Sequence, residues 1–133
     1  MAAALVSRVH GMRGMRILFV EDHRVFAQTV ASEFLAGDEV DIAGSIAAAR
    51  SALMADAAFD AVLVDYDLPD GKGTEVVRQL RAVRFPGVII AVSARDQGNA
   101  ELRAAGAHVI CRKAELHRIA STLAKLPRTG GPG

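Results

Sequence analysis

The chain has 133 residues, 51% of them hydrophobic and 5% aromatic, with 16 basic residues against 15 acidic ones. That length supports one domain with its own core, and a net charge of +1 excludes the global basic footprint of a non-specific nucleic-acid binder. Cys111 is the sole cysteine, which excludes an intrachain disulfide and reads as a buried, inert thiol in a reducing compartment.

Residues 1–14 (MAAALVSRVHGMRG) lack the long apolar segment of a signal peptide, and no run is long enough to span a bilayer. A cytoplasmic protein with no membrane partner is therefore expected. Met12 and Met15 lie just before the first strand, so residues 1–14 read as a disordered leader or an overextended start. From there strand and helix patterns alternate five times, which predicts an α/β fold with a doubly wound parallel sheet.

Residues 16–20 form an apolar strand, followed by a helix over 24–36 that Gly37 ends. Residues 39–43 give a second strand, and Ser45 caps an Ala-rich helix to residue 55. Residues 61–65 form a third strand, apolar without interruption up to Asp65, as expected of a strand covered on both faces. The loop DYDLPDGKG re-aims the chain through Pro69, Gly71 and Gly73. Thr74 is placed as the cap of the next helix, with Val76, Val77, Leu80 and Val83 toward the sheet. Residues 88–92 form the fourth strand, 97–105 a short helix ended by Gly106, 108–111 the fifth strand and 115–125 the last helix. This pattern makes one domain over 15–126, and the Pro/Gly-rich residues 127–133 read as a disordered tail.

Chemistry-bearing residues cluster at strand ends. RILFV runs into Glu21-Asp22, AVLV ends at Asp65, VIIAV ends at Ser93 and HVIC leads to Arg112-Lys113. Open α/β sheets bind ligands outside the carboxyl ends of their strands, where the strand order reverses, so these four stretches converge on one pocket. Asp65 at the end of a buried strand can act as a carboxylate nucleophile and accept a phosphoryl group; its bland alternative is a turn-starting aspartate. Glu21 and Asp22 beside it repel one another unless a cation intervenes, and Mg²⁺ suits a few carboxylates plus phosphate oxygens. Their alternative is a pair of acids at a helix N-terminus, worth a few tenths of a kcal/mol. Ser93 supplies a hydroxyl donor and Lys113 a compact cation for phosphoryl oxygens. Arg112 alternates to the other side of its strand and is expected in solvent. The second strand ends in uncharged Ala43-Gly44-Ser45, consistent with the remote edge of a 2-1-3-4-5 sheet. His10, His23, His108 and His117 are scattered without metal-ligand spacing.

Taken together, ILFVED (17–22), LVDYDLPDGKG (63–73), VIIAVSA (88–94) and GAHVICRK (106–113) resemble the receiver domain of bacterial two-component response regulators, of the stand-alone type, over residues 15–126. The resemblance implies a flavodoxin-like three-layer sandwich with Asp65 as phosphoacceptor. It implies that Glu21 and Asp22 hold Mg²⁺ with Asp65 and the backbone carbonyl of Asp67. Ser93 is then the switch hydroxyl and Lys113 the phosphate-binding lysine. It further implies a signalling protein in a phosphorelay, not an enzyme beyond its own Mg²⁺-dependent phosphorylation and dephosphorylation. A sensor histidine kinase or phosphotransfer protein would supply the phosphoryl group near the first helix, around Arg24 and Gln28. A downstream protein would dock on the 96–125 face, and the chain would be a monomer or weak homodimer.

Two departures from the family pattern carry weight. Ile110 stands where the family usually has an aromatic residue that swings inward as the hydroxyl engages phosphate, and Ala114 stands where proline usually follows the lysine. The stretch from Ser93 to Gly106 is also about two residues shorter than usual. These departures support an alternative: a receiver-like binding module that works without phosphorylation. A small phosphatase of related fold is a third reading, prompted by Asp67 two residues after Asp65. Asp67 and Arg95 also occupy positions that tune phosphate lifetime in the family, and their opposite charges are expected to pair across the pocket mouth.

Overall fold

Buried aliphatic runs build the centre of the molecule. In the computed structural model, which describes residues 14–55 and 58–126, strand β1 (Arg16–Val20) lies between β2 (Glu39–Ala43) and β3 (Ala61–Val64), parallel to both. β4 (Val88–Ala91) adds beside β3, and the two-residue β5 (Val109–Ile110) beside β4, giving the order β2-β1-β3-β4-β5. Every residue of β1, β3 and β4 is buried, whereas the edge strand β2 is mostly half-buried. Central strands covered on both faces have no reason to alternate polar with apolar. The expected α/β sheet and its strand order are observed.

Strand side chains alternate between two core layers. Leu18, Val62 and Ile89 meet α2 (Ile46–Ala55), α3 (Thr74–Ala82) and α4 (Asp96–Ala105) on one face. Phe19, Leu63 and Ile90 meet α1 (Arg24–Phe34) and α5 (Ile119–Lys125) on the other. Each of these large aliphatic or aromatic side chains is fully buried, which contributes about 1.5–3 kcal/mol per side chain.

Several boundaries differ from the sequence expectation. α1 stops at Phe34, because Leu35 leaves helical geometry at φ −129°. Gly73, not Thr74, takes the position before α3, and Thr74 is buried inside the first turn. Val83 does not face the sheet: it follows the end of α3 and is 69% exposed, with the chain turning through Arg84 at φ 57°. β5 is shorter than 108–111, although His108 N–H to Ile89 O and Cys111 N–H to Ala91 O, both 2.8 Å, continue its ladder at each end. The last helix begins as a 3₁₀ turn, Lys113–Arg118, broken at Glu115 (φ −113°, ψ 17°) before α5. A tight turn of this kind connects a strand end to a helix without room for a full α turn. The proposed leader and tail lie outside the described residues, apart from Gly14.

One stabilising contact spans the chain. Ser45 Oγ accepts the Ala48 N–H at 3.0 Å, as expected of a cap, while Asp70 accepts Ile46 N–H at 2.8 Å and Ala47 N–H at 3.0 Å. Those hydrogen bonds hold the Asp70 carboxyl below its ordinary value. Three orphan donors of the α2 N-terminus are thereby satisfied, and the loop after β3 is tied to the far side of the pocket.

Candidate functional site

The sheet ladder itself delivers the polar residues to one place. Beyond the last strand residues the same hydrogen bonds continue: Glu21 N–H to Ala43 O at 2.9 Å, Asp65 N–H to Val20 O at 3.0 Å and Lys113 N–H to Ser93 O at 3.2 Å. Glu21 and Asp65 directly after their strands, and Lys113 three residues after β5, are thus held at the carboxyl end of the sheet. Gly73 then brings the following loop back across Asp65. A Cβ at Gly73 would land inside the Asp65 carbonyl, so this close approach requires glycine.

Lys113 joins the two buried acids. Its Nζ lies 2.9 Å from Glu21 Oε1 and 3.0 Å from Asp65 Oδ2. Glu21 is fully buried and Asp65 is 6% exposed. Burial raises the Glu21 carboxyl, but hydrogen bonds from Lys113 and from the His23 N–H outweigh it, and the net shift is downward. Asp65 goes the other way: burial raises it, repulsion from Glu21 adds to that, and Lys113 offsets only part. Burial lowers Lys113, yet its two carboxylate partners win and hold it above its ordinary value. The Lys113 ammonium also lies 5.3 Å from the Phe26 ring centre, a further attraction to the cation. Asp65 Oδ1 accepts the Tyr66 N–H at 2.8 Å.

Ser93 is buried at the end of β4. Its Oγ accepts the Arg95 N–H at 3.1 Å, which leaves the hydroxyl proton to donate. Gly98 in α4 sits against this hydroxyl: a Cβ there would come within 2.7 Å of Ser93 Oγ and 3.0 Å of Tyr66 Cβ. Arg112 faces solvent as expected, paired with Asp96 at 3.0 Å. Ile110 is 40% exposed and Ala114 is exposed.

At the pocket rim, Asp67 pairs with Arg95 and with Lys72, both at 2.6 Å. The Asp67–Arg95 pair was expected; Lys72 was not. Lys72 reaches Asp67 because Gly71–Lys72 forms a two-residue antiparallel ribbon with Asp67–Leu68. Both cations lie over the Tyr66 ring, at 4.9 Å and 5.7 Å, and the Tyr66 hydroxyl donates to Glu101 Oε1 at 2.7 Å.

The donor set suits a small hard cation. Among the described residues, one ligand atom each from Glu21, Asp22 and His23 lie within 4.8 Å of one another. His23, set aside at the sequence level, therefore stands at the acid pair, its Nδ1 3.1 Å from Glu21 Oε2 and 3.4 Å from Asp22 Oδ1. Asp65 stands outside that trio but shares Lys113 with Glu21. Two carboxylates drawn to one ammonium show that this corner needs positive charge, and carboxylate oxygens fit Mg²⁺. Glu21, Asp22 and Asp65 are the residues that would hold it. When bound, the metal supplies charge neutralisation for phosphoryl oxygens.

An open parallel sandwich thus gathers acids, a hydroxyl and a lysine at the carboxyl ends of its strands. Residues 17–120 match the response regulator receiver domain model, and the chain belongs to that family. Members of the family are signalling modules of two-component systems rather than turnover enzymes. Over 87 residues the chain is 33% identical to the sensor protein TorS of Escherichia coli (strain K12), aligning 64% of this chain with only 9% of that protein. Among solved structures, a receiver domain protein described as CheY-like from Methanospirillum hungatei superposes with a TM-score of 0.68 at 24% identity, covering 84% of this chain and 95% of that one. The signal receiver domain of a LuxO repressor protein from Vibrio parahaemolyticus gives 0.69 at 20% identity, covering 84% and 88%. A two-component response regulator from Clostridium difficile gives 0.72 at 20% identity, covering 84% and 93%. At these identities the structures establish the fold. No described helix is long and apolar enough to cross a membrane.

Proposed function

We propose that Asp65 is the phosphoacceptor of a Mg²⁺-dependent phosphorelay receiver in the cytoplasm. The observation that carries this reading is the Lys113 ammonium held between Glu21 and Asp65 at 2.9 Å and 3.0 Å. An Asp65 carboxylate oxygen attacks the phosphorus of a phosphohistidine on a sensor kinase or phosphotransfer protein. The P–N bond breaks, its electron pair returns to the imidazole, and an acyl phosphate forms on Asp65. Lys113 then exchanges part of its carboxylate contact for a phosphoryl oxygen, and Ser93 donates its hydroxyl proton to another. Glu21, Asp22, Asp65 and the backbone carbonyl of Asp67 are the proposed Mg²⁺ ligands. Beside them an open recess of about 520 Å³ lined by His23, Arg24, Val25, Phe26 and Lys113 offers a donor side chain access to the lysine. Output passes by protein–protein contact on the face formed by residues 96–125, with no nucleic-acid partner and at most weak self-association.

The test is incubation with Mg²⁺ and a small acyl phosphate, followed by intact mass. Wild type is expected to gain one phosphate and Asp65→Asn none. A wild type that gains nothing would support the second reading, a phosphorylation-independent binding module, which Ile110 and Ala114 favour by lacking the family's switch residues. Turnover of small phosphate esters would instead point to the phosphatase reading.

A further inference from the structure

Ile110 has no ring to rotate and is partly in solvent, so a signal at Ser93 needs another way out of the pocket. Asn99 offers one. Its side chain is 98% buried, being 2% exposed, and it grips the Ser93 backbone from both sides: Oδ1 accepts the Ser93 N–H at 2.8 Å, and Nδ2 donates to the Ser93 carbonyl at 2.9 Å. One donor and one acceptor fix the amide orientation without ambiguity. A buried carboxamide with both functions used is costly to leave unpaired, so Ser93 and Asn99 move together. Asn99 lies on the first turn of α4, where its own N–H bonds Arg95 O at 3.1 Å. The next residue but one, Glu101, receives the Tyr66 hydroxyl, and Tyr66 directly follows the phosphoacceptor. Gly98 closes the gap by letting α4 rest on the Ser93 hydroxyl itself.

We propose that Asn99 is the positioning residue that couples Ser93 to α4, so that phosphorylation is read out as a displacement of α4 in place of an aromatic rotation at position 110. This rests on the phosphorelay reading. Ser93 Oγ already accepts the N–H of Arg95, the residue directly before α4, so drawing its hydroxyl toward a phosphoryl oxygen pulls on the start of that helix. The carboxamide clamp then carries the shift of the Ser93 backbone into the helix. The α4 residues that face outward, among them Ala100 and Arg103, become the part of the 96–125 face that differs between the two states.

The experiment follows amide hydrogen exchange across residues 96–105 in the full chain with Mg²⁺, before and after addition of a small acyl phosphate, for wild type, Asn99→Ala and Asn99→Asp. Intact mass reports phosphate on each sample. The wild type is expected to change its α4 exchange on phosphorylation by about tenfold, the equivalent of about 1.4 kcal/mol. Asn99→Ala is expected to reach the same phosphate gain with fast α4 exchange in both states and no difference between them. Asn99→Asp keeps an acceptor for the Ser93 N–H and should retain part of the difference. A residue that merely stabilised the helix would speed exchange but preserve the response to phosphate. One phosphate on the wild type with α4 unmoved, or an undiminished response in Asn99→Ala, overturns the coupling alone. No phosphate on the wild type overturns the phosphorelay reading and the coupling with it.

Discussion

The inner wall of the pocket and its rim are both built from a cation shared by, or shared between, opposite charges, yet they are different physical objects. At the rim, Asp67 meets Lys72 and Arg95 at 2.6 Å, with side chains 52%, 54% and 61% exposed. Inside, Lys113 meets Glu21 and Asp65 at the longer distances of 2.9 Å and 3.0 Å, with side chains 20%, 0% and 8% exposed. Ranked by distance, the rim would be the stronger site. Ranked by burial it is the weaker one, because exposed pairs are worth about 0–1 kcal/mol while removing one partner of a buried pair costs about 3–5 kcal/mol. The wall therefore sets the state of the acids, whereas the exposed rim pairs contribute little to stability.

The largest expected effect breaks the wall. Lys113→Met leaves two buried carboxylates facing each other, and we expect a loss of about 3–5 kcal/mol, read as a lower urea midpoint at unchanged slope with a chelator present. Asp65→Asn should be neutral or stabilising, since it removes a carboxylate that burial and Glu21 already disfavour in its charged form. A Lys113→Met cost below about 1 kcal/mol would place the wall in the same class as surface pairs.

The wall was legible in the sequence because Glu21 and Asp65 directly follow apolar runs and Lys113 stands one residue past its own, and the ladder's register carries such residues to the strand's carboxyl end without further information. Part of the rim was legible too, since Asp67 and Arg95 sit at fixed offsets from Asp65 and Ser93. Lys72 was missed because its arrival depends on a two-residue ribbon closed by Gly71, too short to leave a periodic signal. Asp70 was missed as a cap because its partners lie 24 and 23 positions away, beyond any local capping pattern. Asn99 carried no signal either: a buried asparagine in a helix looks like a solvent-facing one until its partner at Ser93 is known. Val83 misled because it continues the apolar spacing of α3 past the residue where the helix actually stops.

The pH dependence sharpens the comparison with a moderate effect. Lys113 is held above its ordinary 10.5, so the folded state keeps that proton longer than the unfolded one. Its contribution is fully present below 10.5 and is lost as pH rises through the folded value. Tyr66 and Lys72 at the rim are also raised and lose stability in the same alkaline direction. Both remain in Lys113→Met, so the difference in slope between wild type and that variant above pH 10.5 isolates the wall. In acid the two carboxylates oppose each other. Glu21, lowered from 4.5, adds stability above that value and loses it as pH falls through its folded value. Asp65, raised from 3.8, instead loses stability as pH rises from 3.8 through its folded value. Removing Asp65 by Asn substitution should therefore steepen the acid limb that Glu21 produces. Identical acid limbs in the two proteins would contradict the opposed shifts.

The smallest effect on stability belongs to Arg95→Ala, which should stay within about 1 kcal/mol of wild type, while its effect lies in kinetics. Lys72 and Arg95 lie over the Tyr66 ring and both pair with Asp67, which is close in sequence to Asp65, the proposed phosphoacceptor. Opening this strap should speed loss of phosphate from Asp65, followed by intact mass after the donor is removed. An exposed strap is also screened: the Debye length falls from about 30 Å at 0.01 M salt to about 3 Å at 1 M. Wild-type dephosphorylation should thus accelerate with salt toward the Arg95→Ala rate, while Arg95→Ala itself changes little. Equal rates for the two proteins at low salt would mean that the rim pairs decorate the pocket mouth without closing it.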